Sequence, residues 1–216
     1  MKKQLLSAVC LSILLLSSSA FAASPLSNVK VNVNMPKSSS SSTSSKSTLN
    51  TTKLKNQIAA LDNNLKNIST THQNAINNIT NILLPKDQIN ELKADAAKLK
   101  QSAKDPVEIN IDIAEDGTAA LNTALKKDGE DMVKKLNANQ KAALKKNIAT
   151  LKSVKSSYTG IATQATDLAS TIKAQPVEAL AMAPELISLG KTAKEAAKQT
   201  KDITKLTIAL TKAGIK

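Results

Sequence analysis

Chemistry in this chain of 216 residues would have to begin at His72, its single histidine. Imidazole exchanges a proton near neutral pH, and as a catalytic base it needs a nucleophile or a carboxylate brought within hydrogen-bonding reach. Few groups qualify. Cys10, the one cysteine, falls in an N-terminal stretch that reads as a cleaved signal, and Tyr158 is the one tyrosine. Pairs such as Asp128 and Asp131 occur on any helix surface. Among only five glycines no phosphate-cradling loop is found, and no His, Cys, Asp or Glu set has metal-ligand spacing. The expectation is a non-enzyme with no cofactor and no metal. His72 falls on the apolar seam of a helix, where it would fix register or turn to solvent. Tyr158 reads as a core residue with its hydroxyl at the edge.

Charge is the second source of chemistry. All 30 basic residues are lysine, none arginine, and the formal net charge is +13. Such a balance invites an anionic partner, whether a membrane surface, an acidic polysaccharide or nucleic acid. Specific nucleic-acid binding is disfavoured, because the bidentate guanidinium fork and aromatic stacking platforms are both missing. Solubility alone also accounts for a lysine-rich surface. Within this basic chain, Asp105 to Asp131 carries eight acids against Lys126 and Lys127. Read as a calcium loop from Asp112, it has Asp116 and Gly117 in place but Ala114 and Thr123 where carboxylates are required. The match fails, and the acids read as an answer to the lysine-rich helices.

These residues must be positioned by helices. Residues 1–23 form an address label: Lys2 and Lys3, an apolar run from Leu5 to Leu16 too short to span a bilayer, and Ala20-Phe21-Ala22 as a small-x-small site. Cleavage near Ala22 and Ala23 would place the protein in the periplasm or outside the cell, with a net charge of +11 and no Cys, Phe or Trp. Its core must then be aliphatic, which suits slim helices in close contact. Residues 24–49 read as a flexible tether, serine-rich from Ser38 to Ser47. Two stretches break the helical pattern. Val29 to Met35 and Val107 to Ile113 alternate apolar and polar residues with a period of two, and the pair is expected to form a small ribbon.

From residue 50 to 216 the expected fold is all-α, an elongated antiparallel bundle of about five helices. Leu54, Ile58, Leu61, Leu65, Ile68, Ala75, Ile79 and Ile82 repeat at three and four over about 45 Å. Pro85 separates this helix from a second over Lys86 to Lys104, and a short third begins with Asp116 as its cap and loosens at Gly129. With Asn139 as cap, a fourth runs to Lys173 through Leu144, Ile148, Leu151, Tyr158, Ala165 and Ile172, matching the first in length. After Pro176 and Pro184 the last helix runs from Glu185 to Ala213, stopped by Gly214. Lys191, Lys194, Lys198, Lys201, Lys205 and Lys212 line one of its faces, opposite Leu189, Ala196, Ile203 and Leu210.

Two functions follow. The first is an exported interaction or scaffold protein, with a holdase-like variant, that binds another envelope or secreted protein, alone or as a homo-oligomer. The second is binding to an anionic surface or membrane through those six lysines, although that helix lacks the Trp or Phe that anchor interfacial helices.

Overall fold

A computed structural model describes residues 51–215, apart from the side chains of Pro176 and Glu178. The expected signal sequence (residues 1–23), the expected tether (24–49) and the Val29–Met35 candidate strand lie outside the described residues. Six helices follow in order: α1 (Thr51–Leu83), α2 (Lys86–Lys100), α3 (Pro106–Lys134), α4 (Ala138–Lys173), α5 (Pro176–Ala181) and α6 (Ala183–Lys212). No strand occurs among the described residues, so the described region is all-α.

The expected strand at Val107–Ile113 is instead the first two turns of α3. Asp105 caps it, its carboxylate accepting from the Val107 amide at 2.7 Å, and Pro106 fits the first turn, where no amide hydrogen is needed. Asp116, expected to be the cap, lies inside the helix. The alternation misled because α3 is covered on more than one side. Ile111 faces the groove between α1, α3 and α6, while Ile113 lines the seam under α2, so residues two apart are both buried. The kink expected at Gly129 is centred on Asp128 (φ −133°, ψ 20°).

Other boundaries move by a few residues. α2 ends at Lys100 rather than Lys104. α4 is capped by Asn137 rather than Asn139: its side chain accepts from the Gln140 amide, and Gln140 accepts in return from the Asn137 amide, a reciprocal capping box. At the other end of the chain Gly214 takes φ +97°, and the bonds Gly214 N to Thr211 O and Ile215 N to Leu210 O close a Schellman motif that buries Ile215. Only a residue without Cβ adopts that φ without strain.

Each of the four long helices packs on two others: α1 on α3 and α4, and α6 on α3 and α4. Contacts fix the directions. Asn78 bonds Asn147 while His72 meets Tyr158, so α1 and α4 run antiparallel. Thr70 meets Asn110 and Ile76 meets Gly117, so α1 and α3 run parallel. Glu115 meets Lys198 and Gly129 meets Ala213, which makes α3 and α6 parallel too. Adjacent helices are therefore not all antiparallel, as the sequence led one to expect. The cause is α2, which carries the chain back so that α3 starts beside the first half of α1. α2 has no fully buried residue and rests mainly on α3, with the half-buried Ile89 and Leu92 packed against the core.

The core is aliphatic around one ring, with Leu61, Ile76, Ile79, Leu121, Leu144, Leu151, Leu206 and Tyr158 almost fully buried. Close approach is built in at Gly117, where an added Cβ would lie 2.5 Å from Ile76 Cγ2.

Candidate functional site

Halfway along the packed helices a polar layer replaces the aliphatic core. α1 contributes His72 at 1% exposure, flanked by the buried Ser69 and Gln73. From α4 comes Tyr158, fully buried, its ring edge-on to the imidazole with centroids 5.7 Å apart and planes at 77°. α6 adds Gln199, also fully buried. The seam of α1 thus continues through His72 instead of skipping it; helical geometry keeps positions 69, 72, 76 and 79 on one face whatever their polarity.

α3 closes the layer through Glu115. Its carboxylate accepts from Lys198 Nζ at 2.5 and 2.6 Å and from Gln199 Nε2 at 2.5 Å. Gln199 Nε2 also donates to Glu195 at 2.7 Å. Two consecutive residues of α6 therefore grip one carboxylate of α3, and the hydrogen bond that Lys198 donates to Glu115 holds Lys198 charged, its pKa raised. Four buried atoms of the layer have no hydrogen-bond partner in the protein: both ring nitrogens of His72, the Tyr158 hydroxyl and Gln199 Oε1.

Burial sets the electrostatics. Removing His72 from water penalises imidazolium and pushes its pKa down to about 4, with Asp202 on α6 opposing in part. Tyr158 is pushed upward, by burial first and then by Glu195 and Glu115. At neutral pH both side chains are uncharged. Neither has a nucleophile or carboxylate hydrogen-bonded to it, so the layer holds no base-and-nucleophile pair.

Beside this layer, α1, α3 and α6 enclose a groove of about 790 Å³. Leu65, Val107 and Ile111 contribute apolar lining, Asp62, Asp105, Glu108 and Asp112 acids, and Lys66, Lys104, Lys191 and Lys194 bases. Asp62 titrates higher than usual through burial and the nearby Asp105; Asp116, on the α2 side of α3, does so through burial and then Asp112, Asp95 and Glu115. Lys104 reaches Asp112 at 2.6 Å.

No protein-family model matches this sequence, and comparison with curated proteins and with solved structures finds no match. Function must be read from the site alone.

The six lysines singled out from the sequence all lie on exposed positions of α6. They do not act as one free row. Lys191, Lys194 and Lys198 line the groove, facing the acidic segment of α3, and Lys198 is tied to Glu115. Lys205 pairs with Asp202 on its own helix at 3.3 Å. Lys212 borders a second depression with Lys126, Asp128 and Asp131. Among the described residues Lys191, Lys194, Lys201 and Lys212 make no ion pair. Sequence reasoning set Glu115 among acids that answer the lysine-rich helices, as its pair with Lys198 does, but missed Gln199, because nothing local marks a glutamate and a glutamine 84 positions apart as partners. His72 and Tyr158 were both placed on seams, which was the available hint that they could meet.

Among the described residues no group of acids, histidine or cysteine could hold a metal ion, and no helix is long and apolar enough to cross a membrane.

Proposed function

We propose that this chain is an exported, non-enzymatic helical scaffold, an elongated bundle that holds a segment of another envelope or secreted protein in a holdase-like way. The groove between α1, α3 and α6 carries the reading. A small metabolite is recognised by a few polar groups converging in a mostly apolar pocket. This groove instead sets acids and lysines along an apolar strip, a lining that suits an extended polypeptide bearing both charges. The non-enzymatic part rests on His72, which is shut from solvent and has no partner. Export rests on the sequence of residues 1–23.

Light scattering from reduced, aggregating insulin tests the holding activity. The protein is expected to suppress scattering at equimolar ratio, and charge reversal at the rim, Lys191→Glu with Lys194→Glu, to weaken suppression. Unchanged scattering in the presence of the wild type sinks the reading.

A second reading, binding to an anionic surface, is supported by the exposure of Lys191, Lys194, Lys198, Lys201, Lys205 and Lys212 along one face of α6. Salt separates the two: contact through exposed lysines fades between low and physiological ionic strength, whereas holding that uses apolar lining persists.

A further inference from the structure

We infer that the corner between α5 and α6 is a membrane-docking tip that places Val177, Leu180 and Ile187 in the headgroup region of an anionic bilayer. Large aliphatic side chains left in water are the starting observation. Val177 is 80% exposed, Leu180 82% and Ile187 63%; among the described residues only Ile208, at 51%, joins them as an exposed large apolar side chain. Three of the four fall within eleven residues of sequence. Scattered single apolar residues on a surface need no explanation, but three in one short stretch spanning a helix boundary call for one.

The corner is held rigidly. Met182, between the two helices, leaves helical geometry (φ −111°, ψ 26°), and its side chain is 1% exposed, pinning the turn to the core. Its neighbours face outward from that anchor. Exposure near 80% means that surrounding side chains wall in little of Val177 or Leu180, so the surface projects. A projecting apolar tip needs a shaped pocket on a protein partner, while a bilayer receives it without one.

Charge selects the lipid. Lys173, the last residue of α4, lies four positions before Val177, and Lys191 one helical turn after Ile187, both exposed. Lys55, at the start of α1, reaches Glu185 at 3.7 Å. Glu178 is the one acid of α5. Lysines at the headgroup level add attraction to anionic lipids, and three aliphatic side chains alone give only weak, reversible binding. The tip differs from the lysine-face reading, because the apolar side of α6 is committed to the core through Leu189, Ala196, Ile203 and Leu206 and cannot lie on lipid. Val177, Leu180 and Ile187 are not part of the groove lining, with which the tip shares Lys191, so a protein docked by the three aliphatic side chains keeps the α1–α3–α6 groove for its partner.

Flotation of the purified protein with vesicles of phosphatidylcholine alone, or with phosphatidylglycerol added, tests the inference. Binding is expected only to the phosphatidylglycerol vesicles, and Val177→Ser with Leu180→Ser and Ile187→Ser is expected to weaken it roughly tenfold or more. Circular dichroism confirms that the variant is folded; the single changes Val177→Ser and Leu180→Ser serve if it is not. A control at the far end of α6, Lys201→Gln with Lys205→Gln and Lys212→Gln, is expected to retain binding. Three results overturn the tip: no flotation with phosphatidylglycerol vesicles, flotation indifferent to the serine changes, or flotation lost in the lysine control. If the serine variant keeps flotation but loses suppression of insulin aggregation, the corner is a protein-docking surface and the inference also falls. Loss of suppression by the wild type leaves the tip untouched and removes only the groove reading.

Discussion

The polar layer and the α5–α6 corner break the burial rule in opposite directions. At the layer, His72, Tyr158 and Gln199 are shut from water although four of their polar atoms find no protein partner. Three aliphatic side chains at the corner stand in water although the core would accept their kind. The two departures differ in what they can do. A buried polar layer costs stability and yields register, since sliding one helix would carry Gln199 away from Glu115 and leave more groups unpaired. An exposed apolar corner costs folding little and adds nothing to register, so its use must lie outside the molecule.

Breaking the interior should have the largest effect. Ile79→Asp sets an unpartnered carboxylate at a fully buried position two seam steps from His72. A loss of more than about 4 kcal/mol is expected, seen as lost helicity at 25 °C by circular dichroism. Unchanged melting would mean that α1 does not pack as described.

The layer itself should answer to pH. The fold holds the His72 pKa at about 4 against an ordinary 6.5, so it favours the neutral ring. That contribution is complete above pH 6.5 and is lost as pH falls toward 4, amounting to about 3 kcal/mol. Carboxylates titrate over part of the same range, so the measurement is a difference. His72→Phe should melt with a shallower pH dependence than wild type between pH 7 and 4; parallel curves would place His72 in water.

Smaller effects test how the layer is locked. Gly117→Ala forces a methyl into Ile76 and is expected to cost about 1–3 kcal/mol, read from denaturant midpoints. Glu115→Ala, which leaves the buried Gln199 amide with Glu195 alone, should cost about 1–2 kcal/mol by the same measurement. Smallest of all, Val177→Ser with Leu180→Ser should move stability by no more than about 0.5 kcal/mol. A larger loss would show that the corner is part of the core and would erase the contrast drawn above.

Much of the helical order was legible because its causes are local. Three-and-four spacing from Leu54 to Ile82 marked α1, and Pro85, Asp105-Pro106 and Pro176 marked breaks that the structure keeps. Gly214 marked the end of α6 for a reason its φ of +97° makes plain. Val107 to Ile113 was misread because period two means a strand only when one face is covered, and α3 is covered on several sides. For the caps, Asn137 and Asn139 are equal candidates by residue type, and only the reciprocal bond with Gln140 selects the first.

By itself the sequence determined that most of the described region is helical, that its core is aliphatic, where most helices stop and that lysines share one face of the last. Those features depend on a residue and its neighbours within two turns. Tertiary structure alone decided that α1, α3 and α6 run parallel, that Glu115 meets Lys198 and Gln199, and that His72 meets Tyr158. Pairings between residues some 80 positions apart follow from the register at which whole helices pack, a sum of many weak contacts that no local pattern encodes.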